Sequence, residues 1–277
     1  MSNRTRGRII KLVIQIALVA VGLIMVFPLF WLVSTSLRPA PELLGSPPSL
    51  LPQHWTLDNY ANAFAAAPFG TWLINSVEFA TISTLFILLT SLIAGYILAK
   101  FKFPGNNFLF ILILATAIVP FEIYMLPVFL EVQSLGLINT MAGLILPYVI
   151  LSYGIFFMRQ NVLASVPEEL LDAARIDGLS ETGIMIRLVP RLLAPAISAL
   201  AIFAYLQSWT AFIWPLLVLN DQNLFPVQLG LAQFNSSVSV NYAVLSAGAV
   251  VAMAPTVVAF IILRRRIIEG VTLTGFK

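Results

Sequence analysis

The chain has 277 residues, of which 60% are hydrophobic and only 10% charged, and its mean hydropathy is +0.96; this balance excludes an ordinary soluble domain and points to a polytopic membrane protein. The net charge of +3 is spread over loops and ends, so no nucleic-acid-binding face is expected. With no cysteine and a single histidine, His54, the chain lacks the residues for a disulfide, a thiolate or histidine metal cluster, or a cysteine nucleophile, and His54 reads as a solvated loop residue.

In chain order, a polar start with Arg4, Arg6 and Arg8 leads to a first apolar segment over residues 9–37. It is too long for a signal-peptide core and no Ala-x-Ala follows, so it reads as an uncleaved membrane helix kinked at Pro28. A proline-crowded loop (Pro39, Pro41, Pro47, Pro48, Pro52) precedes a short amphipathic helix starting near Thr56 or Asp58, with Tyr60, Ala61, Phe64 and Ala65 on one face at the membrane interface. Further apolar segments cover residues 73–99, 108–130, 141–158, 192–219 and 243–263. The expected fold is all-α, one membrane domain with six spans, and a polar segment over 159–191 between spans four and five.

Lysine and arginine choose the orientation. With the N-terminus inside, fourteen of fifteen basic residues fall in cytoplasmic segments, and only Arg38 lies outside. Both termini and the 159–191 segment are then cytoplasmic.

That segment is far longer than a plain inter-helix connection. It reads as a hairpin of two short helices over 165–190. Ser165 is a candidate cap, Glu168 completes a capping box, and Pro167 suits the first turn. Gly178 is a natural stop after Asp177, and Ser180 opens the second helix with Glu181 at its positive end. Leu170 and Ala174 share one face, while Glu168, Asp172 and Arg175 ring the others. Ala173 and Ala174 permit close approach by another surface. On these residues alone the hairpin is either an amphipathic element on the membrane surface or a docking site for a soluble partner.

The pattern Asp172-Ala-Ala-Arg-Ile-Asp-Gly-Leu179 resembles the Glu-Ala-Ala-x-x-Asp-Gly-Ala signature of permease subunits of bacterial ABC importers. Asp172 stands where that family has Glu, Leu179 where it has Ala, and Pro190 comes one residue early. Thr56-Leu-Asp-Asn-Tyr60, Asn75-Ser76, Ala94-Gly-Tyr-Ile-Leu-Ala-Lys100, Leu135-Gly-Leu-Ile-Asn-Thr140 and Trp209-Thr-Ala-Phe-Ile-Trp-Pro-Leu216 resemble landmarks of the carbohydrate-importing branch, on the subunit similar to the smaller six-span permease of maltose-type systems. Thr210 departs from the Asn common there, and Gly270–Lys277 also resembles that branch.

The resemblance implies a subunit of the bacterial inner membrane that is not itself an enzyme. Its implied partners are a second permease subunit, two ATPase subunits, an extracytoplasmic solute-binding protein, membrane lipid and a carbohydrate substrate. The hairpin would be the coupling element, with Glu168, Glu169, Asp172, Ala173, Ala174, Asp177 and Gly178 as its key residues. No Gly-x-x-x-x-Gly-Lys-Ser/Thr occurs, so no cofactor is expected in this chain, and ATP-Mg belongs to the partner ATPases.

Two readings stay open for the polar residues inside spans. Glu122, deep in the third span between Pro120 and Pro127, is a structural hydrogen-bonding group or part of the substrate path. Tyr205, Ser208 and Trp209 offer ring faces and hydrogen bonds that suit a sugar, or they are an aromatic belt and helix packing. Glu78, near the outer end of the second span, can snorkel. An ion-coupled secondary transporter is the alternative function, with Glu122 as its ion ligand. A membrane-embedded enzyme lacks the clustered polar residues it would need.

Overall fold

The computed structural model describes residues 3–44, 49–237 and 241–272. Pro47, Pro48 and the last five residues of the C-terminal landmark lie outside them. Among the described residues the structure is all-α, with no strand. The helices are α1 (Asn3–Ser36), α2 (Asp58–Ala66), α3 (Phe69–Lys100), α4 (Asn106–Ile118), α5 (Phe121–Ser134), α6 (Met141–Ile145), α7 (Ser152–Ser165), α8 (Glu168–Ile176), α9 (Glu181–Gly183), α10 (Val189–Leu192), α11 (Ala194–Trp209), α12 (Ile213–Val218), α13 (Val227–Ser237) and α14 (Tyr242–Thr272). A π turn, Ile184–Leu188, joins α9 to α10 just before Pro190.

Two helices are long and apolar enough to cross a bilayer unbroken, Lys11–Ser36 and Phe69–Lys100. Three expected spans are instead divided. The third is α4 and α5, bent by 101°; the fourth is α6 with its following turn and α7, bent by 44°; and the helical run Glu181–Leu192 meets α11 at 83°. The fifth is broken again after Trp209, before α12 begins at Ile213.

Local chemistry explains the first break. Pro120 has no N–H to give to a helix, and it drives Val119 into an extended conformation (ψ 119°). Proline alone does not break these helices, since Pro28, Pro127 and Pro255 all sit inside continuous ones.

The chain forms two compact units, Met1–Phe69 with Leu231–Ala254, and Gly70–Gly230 with Pro255–Lys277. In the first, Asn59 Nδ2 donates to the carbonyls of Ser36 (2.9 Å) and Arg38 (2.7 Å), and Ser36 bonds Tyr60 Oη at 2.7 Å. The Asn-Tyr landmark thus ties α2 to the end of α1. The buried residues of α2 are Asn59 and Ala63, and Ala61, Phe64 and Ala65, of the expected interfacial face, are exposed. Glu42 accepts from the backbone N–H of Gln53 (2.7 Å) and His54 (3.3 Å); the Gln53 bond above all holds its carboxyl below the usual range.

The second unit is built on α3. Gly95 meets the backbone of α7 so closely that a Cβ would lie 2.8 Å from Met158 Cβ and 2.9 Å from Arg159 N. One α3 turn earlier, a Cβ on Gly154 would overlap Ser91 Oγ. Small residues let these two helices pack at backbone distance, as membrane helices do without a hydrophobic drive between them.

Candidate functional site

Three helix breaks in the second unit meet around one cavity of about 650 Å³. Its walls include Val119 and Pro120 from the first break, Ile150 and Leu151 from the second, and Thr210, Ala211 and Phe212 from the third. Irregular backbone at membrane depth survives only where protein buries it or where it lines a watered space. The three breaks therefore turn irregular backbone toward one shared space.

The lining has a mixed chemistry. Tyr124, Tyr148, Tyr153 and Trp214 supply ring surfaces, and Thr116, Ser152, Gln207 and Thr210 supply hydrogen-bonding groups. Thr116 and Ser152 bond each other at 2.8 Å across the first two breaks. Glu122, exposed in the first turn of α5, is the one charged residue of the lining. Trp214 is fixed by Nε1–H donation to the Leu144 carbonyl (3.2 Å) and an edge contact with Phe121 (5.8 Å).

Of the residues expected in a substrate path, Glu122 lines this cavity, and Tyr205, Ser208 and Trp209 do not. Ser208 and Trp209 are each 1% exposed, and Tyr205 stacks on Trp209 at 5.9 Å. Helix rotation is the reason: Gln207 and Thr210 occupy the open face of α11, and the aromatic pair is turned into the protein. A sequence signal for the cavity was available in Pro120, Pro147 and Pro215, each within a few residues of a break.

The hairpin is the second element. α8 starts at Glu168 behind an extended Pro167, with Glu168 and Glu169 in its first turn. Ser165 does not cap it. It is the last residue of α7, and Glu168 binds Lys100 Nζ at 2.8 Å in place of a capping box. At the far end Gly178 adopts φ +86°, Leu179 N bonds Ala174 O (3.0 Å) and Gly178 N bonds Arg175 O (3.0 Å), which is a Schellman stop. Ser180 Oγ then accepts from Gly183 N at 3.1 Å and caps α9.

Leu171 and Ala174 form the buried face of α8, in a cluster with Tyr96, Met158, Val162 and Ile184. Leu170, expected on that face, points outward instead. Ala173, Asp172, Asp177 and Glu169 are exposed, and Ile176 is 87% exposed, an apolar tip that the described residues leave uncovered. Arg175 braces the hairpin from within: Nε reaches Glu181 and Nη1 reaches Asp172, both at 2.6 Å. The Glu181 bond, then the Asp172 bond, raises the guanidinium further above its ordinary range.

Residues 87–269 match the family described as binding-protein-dependent transport system inner membrane component. The chain belongs to this family. It is thus a multi-pass inner-membrane permease of a transport system. Among its relatives, the arabinooligosaccharides transport system permease protein AraQ of Halalkalibacterium halodurans is 39% identical, over 99% of each chain. The diacetylchitobiose uptake system permease protein NgcG of Streptomyces coelicolor is 32% identical, over 92% of this chain and 85% of its own. A solved bacterial ABC transporter involved in import of the acidic polysaccharide alginate shares the fold, with a TM-score of 0.87 at 19% identity, over 96% of this chain and 98% of that one.

Proposed function

We propose that this permease is one subunit of an ATP-driven, binding-protein-dependent importer of a sugar or sugar derivative. The observation that carries the reading is the convergence of three helix breaks on one cavity walled by tyrosines, a tryptophan and neutral hydrogen-bonding groups. Such a surface presents ring faces to sugar rings and bonding partners to hydroxyls. The relatives named for arabinooligosaccharides and diacetylchitobiose support the sugar class. The chain supplies half of the path, and a second permease subunit supplies the rest.

In this mechanism six spans hold both termini in the cytoplasm. Two partner ATPase subunits bind ATP-Mg and hydrolyse it. The exposed tip of the hairpin, with Glu168, Glu169, Asp172, Ala173, Asp177 and Ile176, seats in an ATPase cleft. Closure of the ATPase pair moves the hairpin and switches the bundle between inward-open and outward-open states, so the hairpin is the element that ATP biases. A solute-binding protein delivers substrate to the outer face.

The test is reconstitution of this chain with its co-purifying subunits and binding protein, followed by arabinooligosaccharide uptake into vesicles. Uptake that requires ATP and survives collapse of ion gradients is the expected result. Uptake that persists without ATP and fails with the ion gradient would replace the reading with an ion-coupled transporter.

A further inference from the structure

In the second unit α3 is long and apolar enough to cross a membrane unbroken, beside three divided helix pairs among the described residues. α3 has 32 residues, and each end is gripped by a different part of the unit.

At the C-terminal end, Lys100 is the last helical residue and its side chain is only 7% exposed. Its ammonium donates to Val166 O at 2.6 Å and to Glu168 Oε1 at 2.8 Å. Both acceptors lie at the joint between α7 and α8. The Val166 carbonyl sits just before Pro167, which has no N–H and ends the helical bonding there. The contact is reciprocated, since Arg159 of α7 donates Nε–H to Leu98 O (3.2 Å) and lays its guanidinium 3.9 Å over Phe110. Between them lies Gly95, in backbone contact with Met158 and Arg159.

At the other end, Trp72 donates to Gln222 O (2.9 Å), and Asn75 Nδ2 donates to Asn223 O (2.7 Å) and Phe225 O (3.1 Å). Ser76 accepts from Val227 N at 2.8 Å. Gly230 then packs on the Trp72 ring with no room for a side chain. Four hydrogen bonds and the Gly230 contact thus hold residues 222–230 to the first turns of α3. The two grips are 24 residues apart, from Ser76 to Lys100, or roughly 36 Å along a straight helix.

We infer that α3 is a strut that carries displacement of the hairpin to the 222–230 segment, with Lys100 and Asn75 as its positioning residues. The inference rests on the proposed docking of the hairpin to an ATPase. A load applied to α8 enters α3 at the Lys100 joint. It leaves through bonds of Asn75 and Ser76 to a segment directly linked to α12, which carries the Trp214 wall of the cavity. Physical intermediacy alone does not establish such a path; coupled effects of substitutions at its two ends do.

The experiment uses the complete reconstituted importer and reads uptake and ATP hydrolysis in the same vesicles. K100M keeps the aliphatic stem and removes the donor; N75A removes the outer grip. Each lowers the uptake-to-hydrolysis ratio about five-fold, the lower end of ordinary coupling strengths. The double variant is no worse than the worse single one, and K100R restores the loss of K100M. Multiplying effects in the double variant, or an unchanged ratio in either single one, overturn the strut. If K100M does not assemble, R159M, which removes the reciprocal bond to Leu98 O, replaces it in the same cycle and is judged by the same rule. Absence of ATP-dependent uptake in the unmodified importer would instead remove the importer reading beneath it.

Discussion

α3 and the divided spans around the cavity are built from similarly apolar sequence and end up mechanically different. α3 has mean packing on small residues, no internal proline, and partners at both ends. The α4–α5 pair is bent by 101° where Pro120 removes a donor, and the breaks at Leu151 and Thr210 open on the same space. The difference teaches that hydrophobicity sets membrane residence, while proline placement and grip on neighbouring backbone decide which helix transmits and which one yields.

The largest effect that could break this comparison is at Gly95. G95V would drive its methyls into α7 backbone, where over-packing costs up to about 3 kcal/mol. The assembled complex should fall sharply in detergent thermal stability; a fully stable G95V would show that α3 and α7 are not locked. Next come two neighbouring alanines of α8. A174W should destabilise by about 1–3 kcal/mol, because Ala174 belongs to the core cluster under the hairpin. A173W, on the exposed side, should leave thermal stability intact and abolish coupled uptake. Equal stability losses would mean that the hairpin's outward face is not a docking face.

Glu122 sharpens the comparison from the cavity side. E122A should reduce uptake about tenfold, the scale of one lost charged hydrogen bond, while assembly and hydrolysis persist. Unchanged uptake would confine Glu122 to a structural role. The smallest effect is at Arg175. Its carboxylate contacts are partly solvent-exposed, so R175M should lower thermal stability only slightly, and high salt should reproduce much of the loss in the unmodified protein.

Much of this is legible in the sequence. The Gly178 stop and the Ser180 cap follow from short-range rules and appear as expected. Ser165 was misleading because a capping box is a local pattern, and the neighbouring helix had a prior claim on it: α7 extends to Ser165, and Lys100, 68 residues away in sequence, takes Glu168. The α8 face was offset by one residue, Leu171 for Leu170, since the packed stripe is set by Tyr96 and Met158 on other helices. Asn75 and Ser76 stood out only as landmarks. Their bonding partners lie about 150 residues away, and no periodicity carries that information. Gln207 and Thr210 line the cavity while Ser208 and Trp209 are buried, a difference the sequence does not carry because helix rotation inside a bundle is not fixed when every face is apolar.

The most direct measurement uses the absence of native cysteines, which lets spin labels be placed freely. One pair goes on exposed α3 positions Ile74 and Ile97, and a second spans the α4–α5 break at Ile111 and Ile123. Distances are compared in the nucleotide-free and ATP-bound importer. A constant Ile74–Ile97 distance, about 35 Å for a straight helix, together with a shifting Ile111–Ile123 distance is the predicted result. A shifting α3 pair, or a cavity pair that stays fixed through the cycle, would contradict the division between a rigid strut and yielding breaks.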